Sequence, residues 1–396
     1  MTTSRPLTVV IAPDSFGGAL DSVGVTDAIA AGWMRARPND EIVRAPMADG
    51  GEGTLAALAV SLGERAERRM VATVDALGRP IEADWLLLDD GHGAFVEMAA
   101  ASGLARLAVD ERTPVSARAA STRGTGDLVR AALDAGVERI TVGLGGSATT
   151  DGGAGMLAAL GAHLLDRDGA ELPPGGAALA RLARIDATEL DPRLAGMNVV
   201  VASDVTNPLC GPMGAAAAYG PQKGADPAAV EELDAALVRF GEAIEKASGR
   251  SVADLPGAGA AGGTTAALLG FTPAVVRSGV EVVADLVDLA TSLEAAELVI
   301  TGEGRADEQT LSGKAAMGVA RLARTRNAPV VLLCGGLGSG ASALDASGVF
   351  AVVQPVAEGP MDLAEAMADT ERLLANAAER LARTIGVGLA LADPGR

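Results

Sequence analysis

The stretch Gly143-Leu-Gly-Gly-Ser-Ala-Thr-Thr-Asp-Gly-Gly153 leaves an apolar run, Ile140–Leu144, and enters an alanine-rich amphipathic run, Ala154–Leu160. That order reads as a strand, a loop of glycines, hydroxyls and one carboxylate, and then a helix. Glycine lets backbone approach a ligand closely, and the amides at a helix start attract anions. Two readings stand at this point: a phosphate-binding loop, or a plain strand-to-helix turn.

The bulk composition narrows the field. With 396 residues and 49% hydrophobic content the chain is long enough for two domains, yet only 2% is aromatic, so Ala, Val and Leu must fill the interior. No apolar run approaches the roughly 20 residues that span a bilayer. The early run Leu7–Ala12 is short and reads as a strand, not a signal segment. Two cysteines, Cys210 and Cys334, make no disulfide framework and favour a cytoplasmic protein. Two histidines, His92 and His163, build no His-rich metal site. A net charge of −19 argues against nucleic acid or an anionic membrane as partner. It leaves room for a nucleotide carried with Mg²⁺. The chain uses arginine almost everywhere and lysine only at Lys223, Lys246 and Lys314. Lys223 and Lys314 fall in glycine-containing loops.

Outward from the loop, the chain opens in βαβα order. Strands at Leu7–Ala12 and Glu41–Ala45 each end in a loop, Pro13-Asp-Ser-Phe-Gly-Gly18 and Pro46-Met-Ala-Asp-Gly-Gly-Glu-Gly-Thr54, and each precedes a helix. Near residue 67 the pattern changes: Ile81, Ala83, Trp85 and Leu87 alternate with acids after a Gly78-Arg-Pro80 turn, as in a hairpin. Strands follow at Phe95–Met98, Ile140–Leu144 and Asn198–Ala202, helices at Leu128–Leu133 and Pro227–Ala247. The βαβα order returns with strands at Leu298–Ile300, Val330–Leu333 and Phe350–Val353 and a terminal helix to about Ile385. The expectation is an α/β protein of two domains. An outer parallel-sheet domain, Rossmann-like or flavodoxin-like, takes 1–76 and 275–396. An inserted mixed-sheet α/β domain takes 77–274.

Five strand-like runs end in a carboxylate beside glycine, serine or threonine: Asp14, Asp49 with Glu52, Asp151, Asp204, and Glu303 with Asp307. The carboxyl ends of parallel strands are where open α/β sheets bind ligands. Acids, hydroxyls, glycines and a few lysines suit phosphoryl transfer, which is mostly positioning and charge neutralisation. Glycosidases also pair carboxylates, but the chain has few aromatic platforms for sugars. No Gly-x-x-x-x-Gly-Lys-Ser/Thr is present. Gly143-Leu-Gly-Gly-Ser-Ala148 formally fits a dinucleotide fingerprint, with Asp166 as ribose acid. Asp151 weighs against that dehydrogenase reading, because it would face the pyrophosphate uncompensated, whereas Mg²⁺ turns the repulsion into attraction.

The longer motifs resemble the bacterial glycerate kinases of the type that includes the glyoxylate- and glucarate-pathway enzymes. They are Ala12-Pro-Asp-Ser-Phe16, Pro46-Met-Ala-Asp-Gly-Gly-Glu-Gly-Thr54, Gly124-Thr-Gly126, Gly145-Gly-Ser-Ala-Thr149 with Asp151-Gly-Gly153, and Ala202-Ser-Asp-Val-Thr-Asn-Pro-Leu209. Gly220-Pro-Gln-Lys-Gly-Ala225 and Thr301-Gly-Glu-Gly-Arg305 with Asp307, Gln309, Thr310 and Gly313-Lys314 complete the set. The resemblance implies one domain inserted in another with the active site in the cleft, ATP and Mg²⁺, D-glycerate as acceptor, and 2-phosphoglycerate as product. One departure stands out. The family usually reads Asp-Ser-Phe-Lys-Gly-Ser-Leu where this chain has Asp14-Ser-Phe-Gly-Gly-Ala-Leu20, so Gly17 replaces a lysine and Ala19 a serine. That keeps open a diverged member that phosphorylates another hydroxy acid or binds nucleotide without turnover.

With that resemblance in hand, Asp204 and Asp307 are expected at the metal or the acceptor hydroxyl, with Asn207, Asp151 and Glu303 as further metal ligands. Gly145, Gly146, Ser147 and Thr149, with Gly124 and Thr125, are expected to hold the nucleotide. Lys223 is assigned to phosphate, and Arg305 or Lys314 to the glycerate carboxylate, Lys314 also serving the nucleotide. Asp14, Ser15, Asp49, Glu52 and Gln309 are expected to line the substrate site.

Overall fold

The structure, a computed structural model, describes residues 5–312 and 315–392. In chain order its strands are β1 (Thr8–Ile11), β2 (Glu41–Arg44), β3 (Ala66–Val74), β4 (Pro80–Leu88), β5 (Gly93–Glu97), β6 (Arg139–Gly143) and β7 (His163–Leu165). They continue as β8 (Arg184–Asp186), β9 (Asn198–Ala202), β10 (Val275–Arg277), β11 (Leu298–Ala306), β12 (Val330–Leu337) and β13 (Val352–Pro355). The chain divides into two compact units, one of residues 1–48, 56–63 and 280–396, the other of residues 49–55 and 64–279.

The first unit carries a five-stranded parallel sheet in the order β13-β12-β11-β1-β2. This is the flavodoxin-like order, with the crossover reversing between β1 and β11, where such sheets bind ligands. Both faces are covered, so the strands read as continuous apolar runs. Val9 and Ile11 join Trp33, Leu374 and Leu381 in one core, while Val10 between them is equally buried on the other face. The helices Ser22–Ala36 and Thr370–Ala392 pack so closely that a Cβ on Gly32 would lie 1.9 Å from the Ala375 carbonyl oxygen. A buried ion pair, Arg37 Nε to Asp40 Oδ2 at 2.5 Å, is tied to this core by Trp33 Nε1, which donates to the same carboxylate at 2.9 Å.

The second unit carries a six-stranded mixed sheet, β10-β9-β6-β5-β4-β3. Its parallel strands β5, β6, β9 and β10 bring Glu97, Gly143, Ala202 and Arg277 to one edge; β3 and β4 form the antiparallel margin. Because all nine residues of β3 pair with β4, residues 64–76 go with this unit and not with the outer one expected from sequence. The long helix runs Pro227–Ser248, close to expectation: Asp226 accepts from the Ala229 amide at its start, and Gly249 takes φ +73° at its end. β7 and β8 form a separate two-stranded ladder.

Two expected boundaries move. β11 continues through Thr301-Gly-Glu-Gly-Arg305, which sequence had placed in a loop, because it pairs with β12 from Val299 opposite Val330 to Ala306 opposite Leu337. The helix expected from Leu128 begins at Arg123, so Gly124-Thr-Gly126 lies within its first turns.

Candidate active site

In the second unit the glycine loop after β6 is built against the segment 49–53. Gly145 donates its amide to the Gly50 carbonyl at 3.2 Å, and a Cβ on Gly145 would lie 2.4 Å from Gly51 Cα. Only glycine permits that approach. Asp49 is exposed and accepts from the Gly51 amide at 2.9 Å; Glu52 is exposed, with its Cβ against Gly146. Glu97, at the end of β5, was not singled out from sequence. It accepts from the amides of Gly53 at 3.2 Å and Leu55 at 2.7 Å, fixing the segment and the first turn of the helix Thr54–Leu62. Burial pushes its pKa up to about 7 against those two hydrogen bonds, with Glu52 and Asp84 adding repulsion. A lone acid inside the apolar run Phe95–Met98 was the available signal.

Past Gly145 the loop presents donors. Gly146 is exposed at φ +74° at the corner of a hydrogen-bonded turn from Leu144 to Ser147, and among the described residues its amide has no acceptor. Such an amide beside a left-handed glycine is a donor for an anion. Under it lies Lys223, whose Nζ donates to Ser147 Oγ at 2.9 Å and to the Thr149 carbonyl at 2.5 Å. Lys223 is buried, which pulls its pKa down to about 7 while the charge of Asp151 works the other way. Thr149 is wholly buried and its hydroxyl has no partner among the described residues, so its exposed contribution to the loop is none; its carbonyl anchors the lysine.

Four sequence assignments change here. Lys223 was expected on phosphate; it is buried and gives two of its three ammonium donors to Ser147 Oγ and the Thr149 carbonyl. Asp151 was expected on metal, but it is fully buried and accepts from the Thr122 amide and hydroxyl, both at 2.9 Å, and from the Gly153 and Gly155 amides. Desolvation raises its pKa and those hydrogen bonds oppose the rise. The helix start after the loop is therefore filled by the chain's own anion, which also leaves no room there for a dinucleotide pyrophosphate. Gly124 and Thr125 pack instead of binding: a Cβ on Gly124 would meet the Val74 carbonyl at 2.1 Å, and Thr125 donates to Ser102. Asn207 braces a turn, donating to the Met213 carbonyl and accepting from the Tyr219 hydroxyl, both at 2.7 Å. Asp204 is exposed just beyond the end of β9.

In the first unit the site residues gather at the crossover point. The Asp14 amide donates to the Gly302 carbonyl at 2.9 Å and Thr301 Oγ1 to the Ala12 carbonyl at 2.8 Å, locking the loop after β1 onto β11. Glu303 is buried and accepts from Thr310 Oγ1 at 2.6 Å; beside it burial pushes the Cys334 thiol up to about 12. Asp307 accepts from the Gln309 amide at 3.0 Å and faces the exposed Arg305 at 3.5 Å. Ser15 and Gln309 are exposed, and a side chain at Gly17 would meet nothing within 4 Å. Lys314 lies outside the described residues.

Among the described residues no three His, Cys, Asp or Glu side chains group as a metal cage. Mg²⁺ delivered with a nucleotide takes one or two carboxylates and completes its shell with phosphate and water, and Glu52 and Asp204 are exposed carboxylates of the kind it takes. No helix among the described residues is long and apolar enough to cross a membrane.

A glycine loop with donors lies at one sheet edge and carboxylates at the crossover of another, and comparison with known proteins gives the class: an ATP-dependent kinase, a phosphotransferase acting on a hydroxyl group. The profile of the glycerate kinase family matches residues 9–386, and the chain belongs to that family. It is 42% identical to the glycerate kinase of Bacillus subtilis over 97% of this chain and 98% of that protein. It is likewise 42% identical to the glycerate 2-kinase of Escherichia coli K12, over 96% and 98%. A crystal structure described as a putative glycerate kinase 2 from Salmonella typhimurium LT2 superposes with a TM-score of 0.83 at 42% identity, covering 97% of this chain and 99% of that one.

Proposed function

We propose that this protein transfers the γ-phosphoryl group of ATP to D-glycerate, giving 2-phosphoglycerate and ADP, with Mg²⁺ as the accompanying cation, in the cytoplasm. The observation that supports it most is the cradle itself: the Gly146 amide, without an acceptor among the described residues, and the Ser147 hydroxyl on one glycine loop, with the buried Lys223 beneath them. The Gly146 amide and the Ser147 hydroxyl hold phosphoryl oxygens. Mg²⁺ would be held by Glu52 and Asp204 and would draw off charge developing on those oxygens. Arg305 takes the glycerate carboxylate, aided by Ser15 and Gln309. A bond forms between glycerate O2 and the γ-phosphorus as the bond to the bridging oxygen of ADP breaks. The O2 proton passes to Asp204 or Asp307, the carboxylates closing the two strand ends.

The test is an ATP turnover assay over a panel of small hydroxy acids, with phosphorus NMR of the product. The expected result is Mg²⁺-dependent ADP release that needs D-glycerate, with phosphate on O2. Phosphate on O3 overturns the regiochemistry, and absence of any phosphorylated hydroxy acid overturns the reading.

A further inference from the structure

Lys223 comes from the turn Pro221–Lys223 and is buried beneath the glycine loop, and its place defines what Ser147 can do. An ammonium has donors only, and a hydroxyl has one proton and two lone pairs. With Nζ donating to Ser147 Oγ at 2.9 Å and to the Thr149 carbonyl at 2.5 Å, the serine proton must point elsewhere. Among the described residues it has no acceptor. It lies next to Gly146, whose amide has no acceptor among the described residues either.

We propose that Lys223 is a positioning residue acting through Ser147: its ammonium turns the serine proton outward onto an oxyanion that the Gly146 amide also holds. The inference rests on the phosphotransfer reading in taking that oxyanion to be a phosphoryl oxygen of the nucleotide. The lysine does not touch the phosphate. It sets the direction of the proton that does, and it leaves a positive charge one bond-length network behind it, in a region where water does not screen.

The arrangement has a second state. A neutral amine gains a lone pair, and the Ser147 hydroxyl can donate inward to it, taking the proton away from the anion. Burial favours the neutral amine, bringing its pKa to about 7, and Asp151 is the charged group that opposes this. The other charges on neighbouring elements are engaged elsewhere. The Arg112 guanidinium donates to the carbonyls of Leu104 and Leu107, and Asp226 caps its own helix beside Arg118. A bound anion favours the ammonium, so anion affinity is full while Lys223 is protonated and falls as pH rises beyond neutrality.

The experiment is calorimetric titration of the full chain with ATP at pH 7 and pH 9, for the wild type and Ser147→Ala, with circular dichroism to confirm the fold. Ionisation of ATP is common to both proteins and cancels in the comparison. The wild type is expected to bind about tenfold more weakly at pH 9, the scale of one charge-assisted hydrogen bond. Ser147→Ala is expected to bind about tenfold more weakly at pH 7 and to lose most of the pH dependence. Lys223→Met added to Ser147→Ala is expected to weaken binding little further, because coupled residues do not add. Equal affinities for wild type and Ser147→Ala, or a Ser147→Ala protein that keeps the wild-type pH dependence, overturn the inference even if glycerate is phosphorylated. ATP binding with the expected pH pattern but no phosphoryl transfer overturns the phosphotransfer reading and leaves this inference standing.

Discussion

Two glycine-rich segments each carry several of the candidate site residues, and they use glycine for different ends. In 143–153 the glycines bring one loop onto another and leave the Gly146 amide without an acceptor among the described residues, with an internal carboxylate and an internal lysine holding the shape from behind. In 301–310 the glycines sit within a strand, where Gly304 and Gly335 let β11 and β12 run close: a Cβ on Gly335 would lie 2.4 Å from the Gly304 carbonyl oxygen. There the polar groups pair with each other, Thr310 with Glu303 and Arg305 with Asp307. The first segment is built to receive an anion. The second is built to hold carboxylates and a guanidinium at a strand end.

The largest effect that breaks this contrast is expected from Asp151→Ala. It removes four hydrogen bonds and leaves Lys223 without its buried counter-charge, a loss of about 3–5 kcal/mol measured by chemical denaturation. A loss under 1 kcal/mol would show that the loop does not depend on its internal anion. Next, Glu97 makes the stability of the second unit depend on pH. Its folded pKa of about 7 lies above the ordinary 4.5, so the folded state holds the proton more tightly. Its contribution is most favourable below pH 4.5, declines as pH rises toward 7, and is flat above, over a span of roughly 3 kcal/mol. Denaturation midpoints measured between pH 4.5 and 8 should show this fall in the wild type and not in Glu97→Gln.

Gly145→Ala is expected to cost about 1–3 kcal/mol by pushing segment 49–53 off the loop, and to weaken ATP binding with it. A Gly145→Ala protein with unchanged stability and ATP affinity would sink the close-approach argument. The smallest structural effect is expected from Gly17→Lys. Its side chain enters open space, so the melting temperature should hold within about 2 °C while the Michaelis constant for glycerate drops several-fold, the worth of one more cation near a carboxylate. An unchanged Michaelis constant would show that the position lies away from the acceptor.

Much of the architecture was legible because its signals are periodic. The apolar runs of β1, β11 and β12, the alternation in β4 and the capped helix Pro227–Ser248 announce themselves, and their order gives a parallel sheet interrupted by a mixed one. The extension of β11 through Gly302 and Gly304 was not legible, since glycine reads as loop and only its pairing with β12 makes it strand. The site was legible as a set of loops but not as a set of roles. Asp151 and Lys223 look like ligand groups in sequence, and only burial shows that they serve the loop from inside. Glu97 was hidden for the opposite reason: it lies in a strand, and its partners are amides more than forty residues away.

The flavodoxin-like sheet also bears on how the chain is made. Thr301 Oγ1 bonds to the Ala12 carbonyl, an acceptor 289 residues earlier. At roughly 5–20 residues per second of synthesis, β1 and β2 wait on the order of 15–60 s for the strands that complete their sheet. The unit spanning residues 64–279 emerges whole in that interval, so it is expected to fold on the ribosome while the first two strands remain as exposed apolar segments. A nascent chain stalled so that residues up to about 290 have left the ribosome should therefore resist protease over the later unit and be cut within residues 5–48, a client for chaperones until the last strands arrive.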